Sequence, residues 1–160
     1  MRIVVATVGR LKLGPDRELA ERYRNRAMKA GRALGLRGPD IIEVKESKAR
    51  ETERRMTEET IALTATLPDG AIKVVLDSRG QNASSDSLAQ RIRGWRDGGG
   101  QAVGFIIGGA DGLAAGLLDD ADMILAFGSA TWPHQLVRIM LMEQIYRMTT
   151  ILSGHPYHRD

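Results

Sequence analysis

The chain of 160 residues contains no cysteine, and aromatic residues make up only 4% of it. Without cysteine, neither disulfide bonds nor thiolate metal ligands can form. Long hydrophobic runs are also missing: the apolar stretch from Ile3 to Val8 is too short for the core of a signal peptide, and no segment is long enough to span a membrane. These absences predict a cytoplasmic protein, and the length predicts a single domain over residues 1–160.

Two common phosphate-binding motifs are missing as well. The sequence has no G-x-x-x-x-G-K-[ST], and no G-x-G-x-x-G follows its first apolar run. Asp77 and Asp111 stand as single carboxylates in separate segments, whereas hard cations prefer several oxygen ligands. We therefore expect neither a nucleoside triphosphate nor a metal ion as cofactor.

Positive charge is concentrated in parts of the chain. The net charge is +3 with an isoelectric point near 9.5. Residues 17–37 contain seven arginines and lysines against two glutamates, and Arg91, Arg93 and Arg96 form a second group. Guanidinium groups match phosphate oxygens, so these segments favour a nucleic-acid backbone as partner. The alternative is an ordinary solvated helix face.

Apolar periodicity predicts five successive β-α units. Strands are expected at 2–8, 41–44, 71–77, 101–109 and 122–127. Helices are expected at 15–34, 47–67, within 110–121 and at 133–152, and a further helix carries Leu88, Ile92 and Trp95. The segments "GLRGPD" (35–40) and "SRGQNASS" (78–85) are interpreted as connections. Strands that are apolar throughout are buried on both faces. The pattern therefore predicts an α/β fold with a mostly parallel five- or six-stranded sheet and helices on both faces.

Three of the connections predict a ligand site. They are "LDSRG" (76–80), "IGGADG" (107–112) and "FGSATWPH" (127–134), each of which follows a predicted strand. In parallel sheets, ligands bind beyond the carboxyl ends of the strands. Glycine in such loops lets the backbone approach a ligand closely. We expect a ligand of nucleoside type, such as an adenine, held mainly by backbone groups.

The last predicted helix is apolar on nearly all sides. Ser129 or Thr131 is expected to cap it, with Pro133 in its first turn, and Glu143 and Arg147 have the spacing of an ion pair. A helix of this kind needs cover on two sides. The sheet covers one side, and a second copy of the chain is the simplest cover for the other, which predicts a homodimer. The alternative is a helix covered by its own domain.

The sequence ends in "HPYHRD", which places two imidazoles, a phenol and a guanidinium in the last six residues. Either this tail is solvated or it reaches into a site. The stretch "TWPHQLVRIMLMEQIYR", this tail and "IGGADGL" together resemble the RlmH family of ribosomal RNA methyltransferases, within the SPOUT superfamily. The resemblance extends over essentially the whole chain.

This resemblance implies a specific fold and activity. Members have a C-terminal trefoil knot and work as homodimers. They transfer a methyl group from S-adenosylmethionine to N3 of pseudouridine 1915 in 23S rRNA, on the assembled 70S ribosome. The resemblance implies cofactor contacts at Leu76, Gly108, Phe127, Gly128, Ser129, Ala130, Thr131 and Trp132; Gly109, in the same glycine-rich loop, is added to this set.

The acceptor nitrogen carries a proton that must be removed, or its developing anion stabilised. His155, Tyr157 and Arg138 are the predicted catalytic residues. Arg147, His158 and Arg159 are the predicted substrate-binding residues. The alternatives are structural: Arg138 and Arg147 only pair with Glu143, and His134, which starts the last helix, only supports the fold.

Two other functions are consistent with the residues alone. One is a non-catalytic ribosome-binding factor that uses the arginine-rich first helix and binds no cofactor. The other is a small-molecule nucleotide enzyme of doubly wound type.

Overall fold

The predicted strands form one five-stranded sheet in which every paired strand is parallel to its neighbour. The computed structural model describes residues 1–158. The strand order is β2-β1-β4-β3-β5. The elements are β1 (Arg2–Val8), α1 (Pro15–Gly31), a 3-10 turn (Arg32–Leu34), β2 (Arg37–Val44), α2 (Thr52–Thr64), β3 (Ile72–Gln81), α3 (Ser85–Asp97), β4 (Ala102–Ile107), α4 (Ala115–Asp119), β5 (Met123–Leu125) and α5 (His134–Leu152).

Helices cover both faces of this sheet, as predicted. Alternate residues of β1 point to opposite faces because side chains of a strand alternate. Ile3 and Val5 belong to the larger apolar core, which includes residues of α1, α3 and α5. Ala6 and Val8 belong to a smaller core with Leu63 of α2 and residues of α4. The mostly parallel α/β sheet is thereby confirmed.

Strand β2 is longer than the sequence predicted. It begins at Arg37, which pairs with Arg2, and not at Ile41. The register shifts by one residue before Val4 pairs with Asp40, at the Gly-Pro step that we interpreted as a connection. Because β2 is an edge strand, the missing N–H of Pro39 does not interrupt the interior of the sheet.

Strand β3 is also longer, because its end packs against β5. Gln81 pairs with Leu125, and the backbone N of Ala126 donates to Gln81 O at 3.0 Å. A Cβ on Gly80 would lie 2.7 Å from the backbone C and O of Ile124. The predicted loop at 78–85 therefore begins as strand. Only glycine lets the two backbones approach this closely.

Helix α2 is shorter than predicted at its start, with Thr52 as its first residue instead of Ser47. The segment before it folds back onto the helix. The backbone N of Ser47 donates to Glu59 Oε1 at 2.8 Å, and Ser47 Oγ donates to Glu58 Oε2 at 2.6 Å. These contacts replace the predicted first turn.

Helix α5 obtains most of its cover from its own chain. Leu141, Met142, Ile145 and Met148 are fully buried among residues that include those of α1 and α3. A second copy of the chain is thus needed less to cover α5 than the sequence indicated, because the exposed apolar surface of this helix is concentrated at Leu136. None of the helices described within residues 1–158 has both the length and the apolarity to cross a membrane.

The start of α5 differs from the prediction as well. Pro133 occupies the N-cap position, and no side chain, including those of Ser129 and Thr131, caps this end by a hydrogen bond. The extended conformation of Pro133 sets the direction in which the chain enters the helix.

Because Gly80 packs on β5, alanine should change the free energy of unfolding in opposite directions at Gly80 and at Gly94. Gly80→Ala forces a methyl group against the backbone of Ile124, and should lower the free energy of unfolding by about 1–3 kcal/mol. Gly94→Ala is the control, because Gly94 lies within α3 with no atom near its would-be Cβ, and should raise it by about 0.5–1 kcal/mol. Guanidinium-induced unfolding measures both. Equal effects would contradict the close packing of β3 on β5.

Candidate functional site

A cavity of about 320 Å³ lies at the carboxyl ends of β3, β4 and β5. The three segments that the sequence analysis selected line it together, because these strands are neighbours in the sheet. Of the predicted contact residues, the lining includes Leu76, Gly108, Gly109, Phe127, Gly128, Ala130, Thr131 and Trp132. Ser129 is exposed and does not line the cavity.

Glycine shapes the 107–113 loop, which forms one wall of the cavity. A Cβ on Gly108 would lie 2.8 Å from Leu113 Cγ and 2.9 Å from Gly112 O. The loop closes on itself, since the backbone N of Gly112 donates to Gly109 O at 3.1 Å. Side chains are thereby excluded where the backbone lines the cavity, which suits a ligand held by amide and carbonyl groups.

The opposite wall is the 126–133 loop, which is fastened at two points. The backbone N of Gly128 donates to Asn82 Oδ1 at 2.9 Å, so the segment after β3 holds this loop. The indole Nε1 of Trp132 donates to Phe127 O at 2.9 Å and closes the loop from within. Gly128 has a φ of 93°, a conformation that favours glycine. The loop is therefore preformed.

Two aspartates line the cavity, and each is paired with an arginine. Arg79 Nε and Nη2 donate to the two oxygens of Asp77 at 2.8 and 2.9 Å, and these bonds lower the pKa of Asp77. Arg55 Nε donates to Asp111 Oδ2 at 2.7 Å and lowers the pKa of Asp111 in the same way. Both carboxylates are ionised at neutral pH, and each charge is balanced.

Sequence reasoning missed several residues of the cavity. His134, which ends the predicted segment 127–134 but was interpreted as structural, lines it, as does Val137 one turn further along α5. Their position directly after the 126–133 loop was the available signal. Asp77 and Asp111 were considered only as metal ligands, because their arginine partners could not be identified from the sequence.

Arg138, a predicted catalytic residue, lies outside the cavity lining. Its side chain is 1% exposed, and its guanidinium donates to Glu43 Oε1 at 2.6 Å, to Thr7 Oγ1 at 2.6 Å and to the carbonyls of Val8 and Gly9. Burial lowers the pKa of Arg138, while Glu43 opposes this shift. The side chain joins α5 to the ends of β1 and β2. Its pairing with Glu43, and not with Glu143, is a correction to the sequence interpretation.

The predicted pair of Glu143 and Arg147 is confirmed, and Tyr157 of the tail packs onto it. Arg147 Nη2 donates to Glu143 Oε1 at 2.5 Å, and the guanidinium lies 4.9 Å from the Tyr157 ring centre. Tyr157 Oη donates to Glu143 Oε1 at 3.1 Å. Burial raises the pKa of Tyr157, and hydrogen bonding to Tyr23 raises it further. The phenol therefore stays protonated at neutral pH.

The other tail residues also contact their own chain. His158 Nε2 lies 3.0 Å from Asp86 Oδ2 at the start of α3, and the backbone N of Tyr157 donates to His155 Nδ1 at 3.2 Å. His155 is exposed. Arg159, a predicted substrate-binding residue, lies outside the described residues. Residues 155–158 of the tail are thus folded against α5 and α3.

Residues 1–158 match the family model described as "Predicted SPOUT methyltransferase". The chain belongs to the SPOUT methyltransferase family. It is 58% identical to the ribosomal RNA large subunit methyltransferase H of Bradyrhizobium sp. strain BTAi1, over 99% of each chain. It is 55% identical to the protein of that name from Rhodopseudomonas palustris strain BisB18, again over 99% of each chain.

In this SPOUT methyltransferase the cavity and the tail occupy different parts of α5. The cavity reaches Val137, whereas the tail contacts Glu143, Tyr146 and Arg147, about two to three helical turns further along. His155, Tyr157 and His158 are not among the residues that line the cavity. Within a single chain, the part of the tail that the structure describes (155–158) therefore does not close over the cavity.

The buried position of Arg138 in this SPOUT methyltransferase predicts a large effect on stability. Arg138→Met leaves the carboxylate of Glu43 without its buried partner, and should lower the free energy of unfolding by about 3–5 kcal/mol. Arg10→Met is the control. Arg10 contacts the same carboxylate at 3.7 Å but is exposed, so its loss should cost at most about 1 kcal/mol. Thermal unfolding compares the two, and equal midpoints would contradict the anchoring role of Arg138.

Proposed function

We propose that this protein methylates N3 of pseudouridine 1915 in 23S rRNA, with S-adenosylmethionine as the donor and the assembled 70S ribosome as the substrate. The observation that carries the proposal is the preformed, glycine-lined cavity, in a SPOUT chain 55–58% identical to the ribosomal RNA methyltransferases compared above. The cytoplasm, where ribosomes are found, is the corresponding location.

The cavity suits S-adenosylmethionine in size and chemistry. Its volume lies within the range of small-molecule sites, about 300–1,000 Å³. Ile107, Leu113 and Leu125 supply apolar surface for an adenine, and the 107–113 and 126–133 loops supply backbone donors and acceptors. When bound, S-adenosylmethionine supplies a methyl group activated by a positively charged sulfur. The protein has to hold the reactants in line and exclude water.

The surface of α1 supports an RNA substrate. Arg22, Arg26 and Lys29 are exposed and follow one another at helical spacing. No salt bridge to a carboxylate is found for these three side chains within the part of the chain that the structure describes. Unpaired cations on one helix face match a phosphate backbone and make binding sensitive to salt.

We further propose a homodimer in which each tail serves the cavity of the other chain. The tail is held about two to three turns along α5 from the cavity of its own chain. Two antiparallel copies of α5 bring the tail of one chain toward the start of α5 in the other. Exposed Leu136 and Trp132, beside the cavity, supply apolar surface for this contact.

A trefoil knot is part of the same proposal. The segment after β5 passes close to the extended end of β3, where Gly80 contacts Ile124 and Asn82 binds Gly128. Threading of this segment past the end of β3 and residues 82–84 would account for contacts between two stretches that are about 45 residues apart.

His155 is the residue that we propose to accept the proton from N3. Its Nδ1 accepts from the backbone N of Tyr157, so the neutral ring carries its own proton on Nε2. Nδ1 becomes available when this turn opens. Tyr157, which stays protonated, donates a hydrogen bond, and Arg147, His158 and Arg159 bind RNA. Arg138 acts by positioning α5, because its guanidinium is buried.

Methyl transfer from labelled S-adenosylmethionine tests the function directly. The substrates are intact ribosomes that lack the modification and, for comparison, free 23S rRNA. We expect label in 23S rRNA from intact ribosomes only, and a block to reverse transcription at position 1915, because an N3 methyl group removes a base-pairing donor. Absence of label, together with absence of saturable cofactor binding by calorimetry, would favour a non-catalytic ribosome-binding factor.

Deletion of residues 155–160 should abolish methylation but change the dissociation constant of S-adenosylmethionine by no more than a few-fold. The reason is that none of the described tail residues lines the cavity. Calorimetry and the ribosome assay measure the two effects. Mixing tail-deleted chains with cavity-blocked Gly108→Val chains should restore part of the activity if the tail acts on the partner. Full activity of the deletion variant would eliminate any role for the tail.

A further inference from the structure

Helix α2 packs against the 107–113 loop and the residue after it, through two hydrogen bonds and one close approach. Arg55 donates to Asp111, and the Oγ1 of Thr60 accepts from the backbone N of Ala114 at 3.1 Å. Between them, Glu59 Oε2 lies 2.8 Å from the position that a Cβ on Gly109 would take. Arg55 and Glu59 lie on one face of α2, because residues four positions apart are neighbours on a helix, and Thr60 follows Glu59 directly.

Arg55 is itself fixed in place. Its Nη1 donates to the carbonyls of Ala49 and Arg50 at 3.1 and 2.9 Å, and its Nη2 donates to Thr52 Oγ1 at 3.0 Å. Its Nε remains for Asp111, and the two side chains are 25% and 31% exposed. The guanidinium thus joins the start of α2, the segment before it and the cavity loop.

We propose that Arg55 is a positioning residue for S-adenosylmethionine, which keeps the 107–113 loop in its binding shape by holding Asp111. This inference rests on the proposed function, since it assigns a ligand to the same cavity. The physical reason is conformational entropy. A segment with glycine at 108, 109 and 112 can adopt many conformations, and binding restricts it to few of them. This restriction costs free energy unless another contact has already restricted the loop in the unbound protein.

The preceding residue of α2 provides a matched control. Arg54 has the same charge, but it is 71% exposed and pairs with Glu58 of its own helix at 2.8 Å. It makes no hydrogen bond to the 107–113 loop among the described residues. Arg54→Ala and Arg55→Ala therefore remove equal charge from the same helix, and only the second removes a contact to the cavity.

Calorimetric titration with S-adenosylmethionine measures the effect. Arg55→Ala should weaken binding about tenfold, as for the loss of one charged hydrogen bond, while Arg54→Ala stays within about twofold of the parent. Arg55→Lys, which retains the charge but not the forked donors, should lie between them. At saturating cofactor, Arg55→Ala should retain kcat within about twofold, because the residue acts on binding alone.

A double-mutant cycle with Asp111→Ala tests whether Arg55 acts through this partner. The double variant should bind the cofactor no more weakly than Asp111→Ala alone. Additive losses would overturn the proposal, and so would a loss in Arg54→Ala equal to that in Arg55→Ala.

Hydrogen–deuterium exchange of the cofactor-free protein separates this proposal from the proposed function. Arg55→Ala should speed exchange of the backbone amides of Gly112 and Ala114, which are bonded within the loop and to Thr60, and Arg54→Ala should not. Unchanged exchange would overturn the positioning role. If Arg55→Ala speeds exchange but the parent protein does not bind S-adenosylmethionine, Arg55 still restrains the 107–113 loop, and the cofactor assigned to the cavity is wrong.

Discussion

The parallel pairing of β3, β4 and β5 is the constraint on which the rest of the structure depends. Parallel strands end at the same edge of a sheet, so the segments that follow these three strands converge. The cavity consists almost entirely of those segments. Where the loops crowd together, glycine is required, and Gly108 shows this most clearly because any side chain there would collide with Leu113 and the Gly112 carbonyl.

Helix α5 connects the separate parts of the molecule. Its first turn borders the cavity through His134 and Val137, and one residue later Arg138 ties it to the ends of β1 and β2. Its second half carries the Glu143–Arg147 pair on which the tail rests. A shift of this helix would therefore move the cavity wall and the tail together, which is the physical basis for assigning a positioning role to Arg138.

Arginine–carboxylate pairs recur around the cavity. Arg79 holds Asp77, Arg55 holds Asp111, and Arg138 holds Glu43 at the adjacent strand ends. Arg79 and Arg55 lower the pKa of the carboxyl groups that they bind. In the third pair, Glu43 opposes the lowering of the pKa of Arg138 by burial. Arg22, Arg26 and Lys29 of α1 differ from these arginines, because they are exposed and no salt bridge to a described carboxylate occupies them.

The sequence alone determined the parallel α/β sheet, the three segments that line the cavity and the family, because these depend on local apolar runs, glycine positions and a long motif. Tertiary structure decided the extended ends of β2 and β3, the place of Val137 at the cavity, and the partners of Arg55 and Arg138. Arg55 and Asp111 are 56 positions apart, and Glu43 and Arg138 are 95 apart. No local pattern identifies such partners, since only the packing of helices on the sheet brings them within hydrogen-bonding distance.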